Sequence, residues 1–574
     1  TGPAVTGPTV TGAAVTGDPG TRRGRPVAAS SGAAAEVLAD DLAAAGVSHV
    51  FGIPGEHCLS IVDAVDRHPR LRFVSVRHES AAAFMAEAFG KFTGVPSACL
   101  GTASVGAANL VAGVNVAQHD STPMVVLVGQ VETGARGRGA WQELDLVSLF
   151  QPLCSYAAEV DAGEQLPGHA ARALRSAVSG RGGPVLLSVP VDVQDQAVAD
   201  RAADPVPLRA GDAGTTRFDS TPPAPAQSDV TRLADLISAA AKPLVIAGGG
   251  IRASGGRDEL IGVADEVGLP VVTGFRRADA FPNEHPQYVG ALSLSTSPEV
   301  REAVLAADLI IAVGTRLSEI TTMRYAIPHS GQRLAHVDID RNPDGAGGSA
   351  AALRVTADAR LTVRALRDEC RRRGVRGPAA WWTSHQEARP ARLARLTAAD
   401  PFTRLAAEVA AELDQLLPDD AVITSDAGDF FLACGALIDL RHDRRYLGPT
   451  SGSMGYGLPA ALAAKLAAPA RSVVALCGDG GAMMTIQELE TAVRCGIPVV
   501  LVVFNNRAYG SIVRHQKSGY QGRSAGSELG DLDFSRLAEV FGADGYRAGS
   551  GSEFREGLAA ALSSGRLSVI EVRL

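Results

Sequence analysis

The chain has 574 residues, of which 46% are hydrophobic and 20% charged, more than one compact core can use and enough for about three or four domains' worth of structure. A formal net charge of -8, with no arginine run interleaved with aromatics, leaves no electrostatic footprint for nucleic acid or an anionic membrane. No uninterrupted apolar stretch of about twenty residues would span a bilayer, and no charged-then-apolar leader opens the chain, so a soluble, cytoplasmic protein without membrane or nucleic-acid partners is expected.

Residues 1–30 repeat Thr-Gly with Ala, Pro and Val and lack an amphipathic period, so they are expected to form a disordered tail. From 31 to 199, short β-branched runs such as Phe73–Val76, Met124–Gly129 and Val185–Val189 alternate with alanine-rich helical stretches. Within this part His78-Glu79 follows a strand and precedes a helix. On spacing alone, Glu79 reads equally well as a helix N-terminal charge, and His78 as a structural residue. Residues 200–228, Gly/Asp-rich and then Thr-Pro-Pro-Ala-Pro-Ala-Gln, read as a linker. From 229 to 372 the alternation resumes, with strands at Pro243–Ala247 and Leu309–Val313 running into turns at Gly248-Gly249-Gly250 and Gly314. Residues 373–400 are arginine-rich, poorly patterned as a core, and read as a second linker. From 401 to 574 strands return at Val473–Leu476 and Pro498–Phe504. Alternating strand and helix predicts parallel sheets covered on both faces. The expected fold class is therefore α/β, with three consecutive doubly wound parallel-sheet domains and ligand loops at the carboxyl ends of their strands.

The seven cysteines (Cys58, Cys99, Cys154, Cys370, Cys434, Cys477, Cys495) are scattered and form no C-x-x-C or Cys/His ligand spacing, which fits a reducing compartment. The strongest chemical signal is Gly478-Asp479-Gly480-Gly481 at the end of one strand, followed by a helix and by a second strand ending in Asn505-Asn506. Glycines there let backbone amides approach an anion such as a diphosphate, and the following helix N-terminus favours its charge. Asp479 and Asn506 would sit at the ends of neighbouring parallel strands, where their oxygens can converge on a hard cation such as magnesium.

This pair of motifs resembles the signature of the thiamine-diphosphate-dependent enzymes. The resemblance implies Asp479, Asn506 and the carbonyl of Ala508 as magnesium ligands. Phe51-Gly52-Ile53-Pro54-Gly55, Arg77-His78-Glu79, Gly101-Thr102-Ala103-Ser104, Asp120-Ser121-Thr122-Pro123, Gly129-Gln130 and Trp141-Gln142-Glu143 follow, in order, the pattern of acetolactate synthases. In that family a glutamate at the place of Glu79 activates the cofactor through its pyrimidine ring, so Glu79 is implied as the activating residue and Gln142 as an active-site glutamine. Gly452-Ser453-Met454-Gly455 implies Met454 as the apolar prop that holds the cofactor bent, with backbone of Gly452 at the pyrimidine edge. Ser425–Phe430 resembles the second diphosphate loop and implies Gly428, Asp429 and Phe430, although Asp429 and Phe430 replace polar residues common in the family. The implied cofactor-binding set is completed by Pro54, Gly55, Gly478, Gly480, Gly481, Tyr509 and Gly510. The three domains then become pyrimidine-binding (31–199), central (229–372) and diphosphate-binding (401–574), with active sites between subunits of a homodimer or homotetramer.

The central domain carries FAD in some relatives of this family, but Gly290–Ser295 lacks the Met-His-Gly expected at that place, which leaves FAD possible but disfavoured and a purely architectural domain as the alternative. Thr102–Gly106 carries no histidine of the kind common in simple decarboxylases, which favours carboligation. The implied activity is decarboxylation of a 2-oxo acid such as pyruvate and transfer of the acyl anion to a carbonyl acceptor. Trp141, Ser511, Ile512 and His515 are implied as pocket residues, His515 standing where acetolactate synthases place a tryptophan. The alternatives are a simple 2-oxo acid decarboxylase, a flavin-linked oxidase and, least favoured, a non-catalytic paralogue.

Overall fold

A computed structural model describes residues 32–199, 208–210, 216–218, 222–341 and 351–573. The tail expected over 1–30 lies outside the described residues. Three six-stranded sheets follow one another along the chain, all of their strand pairs parallel, as the alternation of strand and helix predicts.

The first sheet contains β1 (His49–Gly52), β2 (Arg72–Ser75), β3 (Ser97–Thr102), β4 (Met124–Gln130), β5 (Tyr156–Glu159) and β6 (Pro184–Pro190), in the order β2-β1-β3-β4-β6-β5. Strands β4 and β6 are buried throughout, which is why they read as continuous apolar runs rather than as alternation. Two helices matter for the site: α1 (Glu79–Thr93) after β2 and α2 (Ala103–Asp120) after β3. The central sheet contains β7 (Pro243–Ala247), β8 (Val271–Thr273), β9 (Tyr288–Ala291), β10 (Leu309–Val313), β11 (Arg333–Asp338) and β12 (Leu353–Thr356), in the doubly wound order β9-β8-β7-β10-β11-β12.

The arginine-rich stretch read as a linker over 373–400 contains a helix, α3 (His385–Thr397), capped by Ser384 in a capping box with Glu387. Its composition hid it because its inward side is polar. Arg389 pairs with Asp414 at 2.9 Å and Asp439 at 3.0 Å, and the buried Arg392 donates to the His385 carbonyl at 2.8 Å. The linker read over 200–228 is likewise not structureless where it is described. Leu208–Ala210 pairs antiparallel with Thr216–Phe218, and a helix begins at Gln227.

The last sheet contains β13 (Val422–Ser425), β14 (Arg445–Leu447), β15 (Val473–Gly478), β16 (Val500–Asn505), β17 (Asp544–Ala548) and β18 (Ser568–Arg573). Its order, β14-β13-β15-β16-β18-β17, repeats the topology of the first sheet strand for strand. Its helices near the site are α4 (Phe431–Leu437), α5 (Gly457–Ala467), α6 (Asp479–Thr485), α7 (Glu488–Cys495) and α8 (Gly510–Gly519). Helix α1 of the first unit packs on α5 of the last, and one apolar cluster runs through both units, from Phe84 and Ala88 to Tyr456, Ala460 and Ala463. All seven cysteines are free, and no described helix is long and apolar enough to cross a membrane.

Candidate functional site

In the last unit, β15 and β16 are parallel neighbours in register, Gly478 opposite Phe504, so Asp479 and Asn506 leave the sheet side by side. Asp479 opens α6 and is buried. Its Oδ1 accepts from the Gly480 amide at 2.9 Å, whereas Oδ2 is buried without a hydrogen-bond partner. Burial pushes the Asp479 carboxyl up, and the amides of Gly480, Arg507 and Ala508 pull it back. The backbone after Asn506 therefore faces the carboxylate. That backbone turns sharply, with Arg507 in the left-handed region at φ 55°, and is held by Tyr509 donating to the Ser527 carbonyl at 2.9 Å. An orphaned buried carboxylate oxygen costs about 1–3 kcal/mol unless something meets it. Asp479, Asn506 and the Ala508 carbonyl offer oxygens of the hard kind that magnesium takes together with phosphate oxygens, and Asn506 Oδ1 accepts here from the Ala508 amide at 3.2 Å.

The glycines around Asp479 also have packing reasons. A Cβ on Gly480 would lie 2.4 Å from the Tyr509 ring, and one on Gly481 would lie 2.1 Å from Asp426 Oδ2. Asp426 is fully buried, accepts from the Gly457 amide at 2.6 Å, and is pushed up to about 6 by burial. The loop from Gly452 to Gly455 has both glycines in the left-handed region, φ 77° and 79°, with half-buried Met454 between them.

Beyond β13, Gly428 and Asp429 are half-buried at the same end of the sheet, but Phe430 is a correction to the sequence reading. Its ring is core. It stacks on Phe504 with centroids 4.9 Å apart and fills the space beside Gly428, so only its backbone remains for a ligand. Asp429 pairs with Arg514 at 2.7 Å, a partner that the sequence gave no reason to expect.

In the first unit Glu79 is the first residue of α1 and is buried, with His78 as N-cap accepting from the Ser80 amide at 3.2 Å. Asn109 Nδ2 donates to Glu79 Oε2 at 2.9 Å, and the bare backbone of Gly106 lies beside Oε1. Gly55, in the loop after β1, abuts Thr102, whose hydroxyl is buried without a partner, as is Nδ1 of His57. Pro54 is exposed on this loop. Trp141 is 68% exposed, its ring 6.2 Å from that of His57, and Gln142 is held in the left-handed region at φ 65°. Asn109 and His57 escaped sequence reasoning, and Thr102 entered it only as part of a matching motif. The orphaned polar atoms are visible only once the fold is known.

The single chain encloses none of the four expected pocket residues. Trp141, Ile512 and His515 are exposed and Ser511 is half-buried, because α8, which carries three of them, has no buried residue. In the central unit the glycine turns are used by the chain itself. A Cβ on Gly248 would lie 2.2 Å from the Gly314 carbonyl oxygen, and one on Gly250 would lie 2.7 Å from Gly314 Cα. These close backbone contacts account for the glycines of both turns.

Comparison with known proteins agrees with this arrangement. Residues 33–149, 230–366 and 426–572 match the N-terminal TPP binding, central and C-terminal TPP binding domains of thiamine pyrophosphate enzymes, respectively. The chain is 32% identical over 549 residues to a probable acetolactate synthase large subunit of Methanocaldococcus jannaschii, covering 94% of this chain and 91% of that protein. It is 32% identical over 541 residues to the acetolactate synthase isozyme 3 large subunit of Escherichia coli, covering 93% and 92%. Among solved structures it is similar to the thiamine diphosphate-dependent 4-hydroxybenzoylformate decarboxylase of Rhodococcus jostii, with a TM-score of 0.79, 25% identity and coverage of 94% and 99%.

Proposed function

This chain belongs to the thiamine pyrophosphate enzymes and is acetolactate synthase-like, and from that premise we propose that it decarboxylates a 2-oxo acid such as pyruvate and joins the resulting acyl group to a second carbonyl compound, using magnesium. The observation that carries the metal-diphosphate half of this reading is the buried Asp479 carboxylate, whose Oδ2 has no hydrogen-bond partner and which the backbone after Asn506 faces. In this reading Asp479, Asn506 and the Ala508 carbonyl hold the magnesium and, through it, the diphosphate. The backbone of Gly428 and the first turn of α8 at Tyr509 and Gly510 meet the phosphates, and Met454 supports the rings. When bound, thiamine diphosphate supplies a carbon that accepts the electron pair left when carbon dioxide departs from the 2-oxo acid. Glu79 holds a proton at the pyrimidine edge, with Asn109 fixing one of its oxygens, and Gln142 orients substrate.

The exposed apolar side chains at the two rims, Val105 and Trp141 on the first unit and Met483, Met484 and Ile512 on the last, support closure of the site by a second copy of the chain. The central domain reads as architectural, its glycine turns packing on each other's backbone, with FAD the less favoured alternative for it.

The test is calorimetric titration of thiamine diphosphate with magnesium into wild type, Asp479→Ala and Asn506→Ala. Each variant removes a hard oxygen ligand and is expected to lose magnesium-dependent binding. Undiminished affinity in both would move the metal site elsewhere. A simple 2-oxo acid decarboxylase is the second reading, favoured by the structural likeness to 4-hydroxybenzoylformate decarboxylase. Mass spectrometry of the products from pyruvate, with and without an added aldehyde, separates the two.

A further inference from the structure

The loop after β13 puts a carboxylate where the proposed function puts a diphosphate. Asp429 Oδ2 and Asn506 Nδ2 each lie 2.8 Å from the point that a Cβ on Gly510 would occupy, so Asp429, a proposed magnesium ligand and the first turn of α8 crowd one spot. Two anions this close, in a site that excludes part of the water, repel strongly. Burial already disfavours the charged form of Asp429, Arg514 opposes that, and Asp400 adds to it.

Arg514 meets the same Oδ2 at 2.7 Å. It stands one turn beyond Gly510 on α8, a helix with no buried residue, and about half of its side chain is exposed while that of Asp429 is 15% exposed. The pair is thus the visible tie between the loop after β13 and the exposed helix that the site needs.

We propose that Arg514 is a positioning residue for the diphosphate end of the cofactor that acts through Asp429, cancelling its charge and mooring the first turn of α8 beside Asn506. The inference rests on the proposed function. Its signature is a sign pattern across a double-mutant cycle, because an arginine that only cancels Asp429 ceases to matter when Asp429 is neutral.

The measurement is the calorimetric dissociation constant of the full-length chain for thiamine diphosphate at fixed magnesium, at low and at high salt. Arg514→Met, which keeps the apolar stem, is expected to weaken binding at least ~10-fold, about 1.4 kcal/mol. Asp429→Asn is expected to bind as tightly as wild type or tighter, Asp429→Asn/Arg514→Met to return close to wild type, and Arg514→Lys to recover most of the loss. The loss in Arg514→Met should shrink as salt screens the uncompensated carboxylate. Equal losses in Arg514→Met and the double variant would mean that Arg514 touches the phosphates itself, and would overturn the inference. So would weakened binding in Asp429→Asn, which would make Asp429 a cation ligand, or an unchanged constant in Arg514→Met. If Asp479→Ala also binds normally, the proposed function has failed. If Asp479→Ala loses binding and Arg514→Met does not, only this inference has.

Discussion

Glu79 has one oxygen engaged by Asn109 and the other beside Gly106, where there is no side chain to block approach. A buried carboxylate half satisfied by the protein is suited to hold a proton for a ligand on its free side. Replacing it by Gln keeps size and burial but removes the carboxylate. Because general acid–base groups are typically worth about 10²–10⁴ in rate, Glu79→Gln is expected to slow hydrogen–deuterium exchange at the thiazolium carbon by about that factor, with diphosphate binding retained. Acid quenching and proton NMR read the exchange, and wild-type exchange in the variant would remove Glu79 from this role. Asp479 and Asn506 stand out in the sequence because each sits at a strand end, where local patterning puts it, whereas Glu79 reads locally as a helix N-terminal charge and is singled out only by the family resemblance. Asn109 is 30 residues from Glu79 and joins it only through the packing of α2 on α1, so no local pattern carries it. Phe430 misled for the opposite reason: its motif position points to the ligand, while its stacking on Phe504 belongs to the core.

At the scale of elements, α7 and the loop before α1 are joined by one buried side chain. Glu488 accepts from the Arg77 amide at 3.1 Å and 3.2 Å and from the Thr491 hydroxyl at 2.6 Å, and burial pushes it up to about 7 against those bonds. Its carboxyl stays protonated in the fold at pH values where the unfolded chain has ionised it. Its contribution is therefore fully present below about pH 4.5 and declines as pH rises toward 7, by about 3 kcal/mol at most. Asp426 titrates in part of the same window. The useful readout is the difference between proteins: Glu488→Gln is expected to show a smaller drop in denaturation midpoint between pH 5 and pH 7.5 than wild type, and an identical drop would refute the assignment. Strands in each of the three sheets, among them β4, β6, β7, β10, β15 and β16, were legible because buried parallel strands leave continuous β-branched runs. Helix α3 was not, because its inward side is held by ion pairs of Arg389 rather than by an apolar stripe. The contact between Glu488 and Arg77 spans 411 residues and has no sequence signature.

Across the whole molecule, the three units meet at a buried charge cluster around Asp120, part of the Asp120-Ser121-Thr122-Pro123 motif. Asp120 accepts from Lys91 of the first unit at 2.5 Å, Arg277 of the central unit at 2.6 Å and Thr450 of the last unit at 2.5 Å. Glu87 completes the set, pairing with Lys91 at 2.9 Å and accepting from Tyr456 at 2.6 Å. Burial alone would push Asp120 up, but Lys91 and Arg277 reverse this and hold its carboxyl well below the usual range. Because the folded value is depressed, the stabilisation is present above the ordinary carboxylate range, near pH 4, and is lost as pH falls below it. Removing one partner from a buried pair leaves the others uncompensated and typically costs about 3–5 kcal/mol. Asp120→Asn is expected to lose about that much at pH 7, and the three sheets should then unfold in separated steps, since the side chain that links all three has lost its charge. The comparison is Asp63→Asn, which breaks the exposed pair of Asp63 with Arg67 and should change stability by less than about 0.5 kcal/mol. Both are read by denaturant unfolding followed by tryptophan fluorescence and circular dichroism. An Asp120→Asn chain that unfolds at the same denaturant concentration as Asp63→Asn, with its two signals still coincident, would show that the apolar cluster shared by the first and last units holds the molecule together without this cluster.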